Sequence, residues 1–120
     1  MMRRYLYIDK YGYGSPFVHV HPLKQKHVKH LTEHLPEGTR YVYLFGSALF
    51  PSCRSDSDID VALIGEINKS DSFMPMKLPD CEYDIFIFSS MDELKECASR
   101  SIQNAERSIL EEGLLVYGGA

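Results

Sequence analysis

The chain has 120 residues, 44% of them hydrophobic and 25% charged, an ordinary composition for one globular domain. No apolar run approaches the roughly 20 residues that a membrane-spanning helix needs, and the amino terminus lacks the apolar segment of a signal peptide. The cysteines are odd in number and have no CxxC spacing, which argues against a disulfide framework and a zinc site. These features predict a single cytoplasmic domain, 1–120, without membrane contact.

The net charge of −4 is spread unevenly. Residues 1–45 hold seven basic and three acidic side chains, whereas residues 46–120 hold six basic and fourteen acidic ones. The acidic second part argues against a long nucleic-acid surface, which needs a basic face. The basic first part is either solvated surface charge or a contact for nucleotide phosphates or an acidic partner.

Two apolar segments, 4–9 and 17–21, flank the turn-rich stretch KYGYGSP and predict an accessory β-hairpin over residues 1–21. Its tyrosines serve either as an interface or as cover for a sheet edge. Residues 22–35 predict a helix with proline in its first turn and an apolar stripe. His27, His30 and His34 share one stripe of that helix, where a polar flank is a better interpretation than a metal site.

The central stretch, 41–64, reads YVYLFGSALFPSCRSDSDIDVALI. Its apolar ends, 41–45 and 61–64, predict two strands. Gly46 and Ser47 follow the first strand, and Asp58 and Asp60 open the second. Because side chains alternate along a strand, both carboxylates leave the same face.

Two neighbouring carboxylates repel each other and need a cation or a proton between them. Oxygen ligands of this kind suit Mg²⁺. Gly46 lets the backbone approach a ligand, and Ser47 offers a hydroxyl and an amide at a strand-to-helix turn that favours phosphate. The stretch therefore predicts phosphoryl or nucleotidyl transfer.

Further along, residues 65–79 predict a loop and residues 82–88 a third strand, which carries Asp84. An aspartate inside an otherwise apolar strand needs a partner. From residue 89 the pattern predicts a capped amphipathic helix with a possible break at 99–101. Gly113 ends the helix, and a short strand at 114–117 follows.

Gly46-Ser47, ten residues and then Asp58-Ile59-Asp60 resemble the GSx10DxD signature of nucleotidyltransferases of the DNA polymerase beta superfamily. The chain is similar in particular to the small minimal nucleotidyltransferase (MNT) branch, and the resemblance covers a catalytic core over residues 38–118. Asp84 matches the third carboxylate of the family. The ending ILEEGLLVYG is also similar to that of many MNT proteins.

The resemblance implies an α/β (α+β) nucleotidyltransferase fold: a small mixed sheet with helices mainly on one face, here with the amino-terminal hairpin added. It implies that Asp58, Asp60 and Asp84 are catalytic and hold two Mg²⁺ ions, with ATP as substrate. Gly46 and Ser47 would bind the nucleotide. The run GSALFP departs from the GSRARG pattern of many relatives, and Arg54 or Arg40 is expected to replace the missing basic residue.

The chain leaves little room for a separate substrate domain, so the acceptor is expected on another protein. The MNT branch pairs with a helical HEPN toxin, which implies an antitoxin that transfers AMP to a tyrosine of that partner. Two alternatives stay open: a non-catalytic module that masks a partner, and a small-molecule nucleotidyltransferase that completes its site as a homo-oligomer.

Overall fold

The computed structural model describes residues 20–69, 73–100 and 104–118, which form a small mixed α/β domain. Its helices and strands are α1 (Gln25–Glu33), β1 (Thr39–Phe45), β2 (Ile59–Gly65), β3 (Tyr83–Phe88), α2 (Met91–Ser99), α3 (Ala105–Glu112) and β4 (Leu114–Tyr117). Short 3₁₀ helices cover Pro22–Lys24, Gly46–Leu49 and Met74–Met76. The elements predicted from residue 22 onward are thereby confirmed, whereas the predicted hairpin lies outside the described residues except for positions 20 and 21.

The four strands form one sheet in the order β3-β2-β1-β4. β1 pairs antiparallel with both β2 and β4, and β2 pairs parallel with β3. The sheet is therefore mixed, as predicted. The parallel pair matters for function because it aligns the beginnings of β2 and β3, where the aspartates lie.

Each face of the sheet buries its own set of apolar side chains, because successive residues of a strand point to opposite faces. One face packs against α1, and its buried residues include Val28, Leu31, Val42, Leu44, Ile59, Val61 and Leu63. The other face packs against α2 and α3, and its buried residues are Phe45, Ala62, Ile64, Phe88, Leu94 and Ile109. Of the three α-helices in the described residues, α2 and α3 therefore share one face, in line with the prediction of helices mainly on one face, and α1 lies on the other.

The predicted break in the last helical segment is confirmed, because α2 ends at Ser99 and α3 begins at Ala105. Each helix has its own side-chain cap. The Ser90 hydroxyl accepts a hydrogen bond from the Glu93 amide, and the Asn104 side chain accepts one from the Arg107 amide. Such caps satisfy amide groups that have no partner inside the helix. In the part of the chain described, no helix has the length and apolar character to cross a membrane.

Candidate functional site

Asp60 and Asp84 lie side by side on the parallel strand pair. In the register of β2 and β3, Asp60 stands opposite Asp84, and the two side chains leave the face that α2 and α3 cover. They are close enough to share a hydrogen bond. Asp60 and Asp84 are each the second residue of their strand, and apolar residues follow both. Packing of these apolar residues fixes β2 and β3, which holds the two carboxylates at the beginning of the parallel pair.

The contact changes the chemistry of Asp60. Burial, a hydrogen bond that the protonated Asp60 donates to the Asp84 carboxylate, and the negative charges of Asp84 and Asp58 together raise the pKa of Asp60 to about 6. A carboxyl group in this setting holds a proton more tightly than usual, or it accepts a cation in place of the proton. The site therefore carries more negative charge than it can balance by itself.

Gly46 forms the wall beside Asp60. Its φ of +78° lies in the left-handed region, which residues other than glycine rarely adopt. A Cβ placed there would clash with Oδ2 of Asp60. The pairing of Phe45 with Asp60 across β1 and β2 causes this closeness, because it brings the end of β1 next to the carboxylate. The glycine predicted to let a ligand approach thus lies directly against one of the predicted catalytic residues.

Asp58 is exposed and precedes β2 by one residue, and its charge still acts on Asp60. Across the ranges 20–69, 73–100 and 104–118, no three or more His, Cys, Asp or Glu side chains form a group that could hold a metal ion. The described structure thus brings two of the three predicted carboxylates into contact and keeps the third within electrostatic range. The metal site stays a prediction.

Ser47 and Arg54 have partners other than the carboxylates. Ser47 lies in the 3₁₀ helix after β1 and interacts with the thiol of Cys53. The Arg54 side chain is 80% exposed, and its Nε lies 3.6 Å from Oδ1 of Asp56 in an ion pair. Their predicted role in nucleotide binding is untested by this arrangement.

Residues 48–50, which depart from the GSRARG pattern, contribute to the core. Ala48 and Leu49 have no exposed surface, and Phe50 packs partly against the α1 face. An arginine at position 48 would have to enter this apolar environment, which is costly for a charge. Packing therefore explains why the turn carries small and apolar residues instead of basic ones.

A second polar cluster, which the sequence reasoning missed, lies at the α1 face. Lys24 is 1% exposed, and His27 is 4% exposed, with its Nε2 at 2.9 Å from Oδ1 of Asp80. The interpretation of His27 as part of a polar flank is therefore wrong, because the ring packs inside and uses a partner distant in sequence. Lys26 and then His27 lower the pKa of Asp80.

A signal for this burial was present in the sequence. Lys24 precedes Val28 by four positions and Leu31 by seven, which places it on the apolar stripe of the helix. The other two histidines fit a surface position: His30 bonds to the carbonyl of Pro75 at 2.9 Å and stacks on His34 with ring centroids 4.1 Å apart.

A scan against protein-family models and a search of curated proteins gave no match to this sequence.

Proposed function

We propose that this chain is a metal-dependent nucleotidyltransferase that moves AMP from ATP to a hydroxyl group. The proposal depends chiefly on one observation, the contact between Asp60 and Asp84 on neighbouring parallel strands. The position of Gly46 against Asp60 supports it, because the glycine leaves room beside a carboxylate that needs a counter-charge. The GSx10DxD pattern of the sequence, which includes Gly46 and Asp60, supports the proposal as well.

The donor set fits Mg²⁺, because its oxygen atoms are hard ligands and because the mutual repulsion at Asp60 calls for positive charge. Asp58, Asp60 and Asp84 would hold the ions. When bound, Mg²⁺ neutralises phosphate charge and lowers the pKa of a bound hydroxyl.

The chain's own residues have separate tasks in this proposal. The Asp84 carboxylate is exposed and takes the proton of the acceptor hydroxyl. The amides of Gly46 and Ser47, at the start of a 3₁₀ helix, bind the departing pyrophosphate. Arg54 supplies positive charge to the phosphates once its exposed ion pair with Asp56 opens.

The proposed acceptor is a tyrosine of a HEPN-type helical partner, and the proposed place of action is the cytoplasm. The acceptor depends on the resemblance of the sequence to the MNT branch, and the place of action depends on the odd number of cysteines without CxxC spacing.

A second candidate is a non-catalytic module that masks its partner. The buried, uncharged turn at Ala48 and Leu49 favours it, since this turn adds no positive charge where a triphosphate would lie. Arg54, the predicted replacement, is paired with Asp56 at the surface. Weak binding of ATP would follow from both features.

The test is a transfer assay with ATP labelled on the α-phosphate, Mg²⁺ and a HEPN-type protein encoded by a neighbouring reading frame. We expect label on the partner with the unchanged chain. The double variant Asp58→Asn/Asp60→Asn should lower transfer by roughly two orders of magnitude or more. Glu66→Gln is the matched control, because Glu66 is an exposed acid directly after the other end of β2, and it should leave transfer unchanged.

The alternatives give other results in the same assay. Complex formation without any label on the partner would favour the masking module. Label on a small molecule would favour the third function, a small-molecule nucleotidyltransferase. Full transfer by the double variant would contradict the assignment of the aspartates.

A further inference from the structure

Asp60 and Asp84 lie where the parallel strand pair begins, and each is the second residue of its strand. Because β2 and β3 are parallel, no tight turn joins their first residues, as one would in a hairpin. The ends of a strand ladder also open more easily than its middle. Contacts from elsewhere in the chain are therefore needed to keep the two carboxylates side by side.

Lys24 makes such contacts with both strand starts. Its side chain is 1% exposed, and its Nζ donates to the carbonyl oxygen of Ser55 at 3.2 Å and to Sγ of Cys81 at 3.4 Å. Ser55 lies three residues before Asp58, and Cys81 lies three residues before Asp84. One buried side chain thus holds the two segments that lead into the carboxylate strands.

The same two segments also contact each other beside Lys24. The Ile59 amide donates to the carbonyl oxygen of Glu82 at 3.0 Å, and the Cys81 thiol donates to that of Ser57 at 3.7 Å. The thiol contact is long and therefore weak. Lys24 belongs to the turn before α1, so its hydrogen bonds fix both segments to a third part of the chain.

An amine is a costly group to bury at this position. Lys24 shares the apolar stripe of Val28 and Leu31, where an apolar side chain would fill space without the loss of hydration that a polar group suffers. Hydrogen bonds offset that loss, and they need only N–H donors, which the amine carries whether or not it is charged. What the lysine adds over an apolar residue is therefore its hold on the two strand starts.

We propose that Lys24 is a positioning residue of the carboxylate site. It holds the first residues of β2 and β3 against each other, so that Asp60 and Asp84 stay in contact. It acts from the α1 face of the sheet, whereas the two carboxylates leave the opposite face, so it touches neither substrate nor metal. The use of the carboxylates rests on the proposed function, but the hold of Lys24 on the strands is measurable without a metal.

The first measurement is amide hydrogen exchange by NMR on the full chain and on Lys24→Met, which keeps an unbranched stem and removes the amine. The ratio of the exchange rate of the Ile59 amide to that of Val42, which lies in β1 between β2 and β4, reports opening of the strand starts. Lys24→Met should raise this ratio about tenfold, because hydrogen bonds that hold both segments are lost. An unchanged ratio in the folded variant would overturn the proposal.

Three further variants complete this measurement. Lys95→Met makes the same change of charge at an exposed position of α2, and Leu94→Ala removes buried methyl groups from α2, which follows the far end of β3. Both should leave the exchange ratio unchanged, and an equal rise in Leu94→Ala would overturn the proposal. Cys81→Ala cuts the contact on the β3 side alone, so an unchanged ratio there overturns it even where Lys24→Met does not fold.

The second measurement is a calorimetric titration of the same proteins with Mg²⁺, which connects Lys24 with the site. Lys24→Met should weaken Mg²⁺ binding about tenfold, as the loss of groups that orient metal ligands does, and Lys95→Met should not. A raised exchange ratio with unchanged Mg²⁺ affinity would overturn the positioning role. Absence of Mg²⁺ binding by the unchanged chain would instead contradict the proposed function, and the exchange ratio would still decide whether Lys24 holds the strands.

Discussion

At the scale of single residues, the account depends on the fit between Gly46 and Asp60. The backbone of Gly46 has a positive φ, and any side chain placed there would meet the carboxylate of Asp60. Glycine thus satisfies two requirements at once: it accepts the left-handed conformation and it leaves the carboxylate room. Since Asp84 is in contact with Asp60, a shift at position 46 would reach both acids.

The first prediction concerns this contact. Gly46→Ala should lower the free energy of unfolding by roughly 1–3 kcal/mol, because it combines backbone strain with a steric clash. In an Asp60→Ala background the clash disappears and only the strain remains, so the same substitution should cost less. Urea denaturation of the four proteins in this double-mutant cycle measures the difference. Equal losses in both backgrounds would show that the glycine does not act on Asp60.

At the scale of elements, α1 is the helix whose packing was predicted least completely from the sequence. Its Val28 and Leu31 are fully buried against the sheet, and its preceding turn carries Lys24 into the same core. His27 joins the helix to Asp80, which lies just before β3. The helix therefore closes one face of the sheet and orders the segment that leads to the carboxylate strand.

The second prediction tests that packing. Leu31→Ala should lower the free energy of unfolding by about 2–5 kcal/mol, because it removes buried methyl groups and leaves a cavity. Leu23→Ala is the matched control: Leu23 lies just before the same helix and is 46% exposed, so its loss should stay within about 0.5 kcal/mol. Urea or thermal denaturation gives both values, and similar losses would contradict the assigned burial of α1.

Element types and order from residue 22 onward could be predicted from periodicity and from Pro, Gly and Ser boundaries. The alternation at Asp58 and Asp60 and the polar residue inside β3 identified the candidate carboxylates. Strand order and register could not be predicted, because pairing of Asp60 with Asp84 depends on contacts between segments distant in sequence. The burial of Lys24 and His27 was missed for the same reason, since their partners Cys81 and Asp80 lie more than fifty positions away.

At the scale of the whole molecule, the sheet separates two sites with different chemistry. The face toward α2 and α3 carries Asp60 and Asp84, which repel each other and favour a cation. The face toward α1 has the buried side chain of Lys24, whose Nζ lies 3.4 Å from Sγ of Cys81. β3 connects the two sites, because Cys81 lies three residues before Asp84, which is part of β3. Variants at one site should therefore be checked for effects on the other.

The most direct test of the central claim is a calorimetric titration with Mg²⁺ at pH 7.5. We predict that the unchanged chain binds Mg²⁺, that Asp84→Asn weakens binding at least about tenfold, and that Asp56→Asn leaves it unchanged. At pH 5, below the Asp60 pKa of about 6, the proton competes with the metal and binding should weaken. Absence of binding at pH 7.5, or equal affinity in the Asp84→Asn variant, would contradict the claim that the paired carboxylates form a cation site.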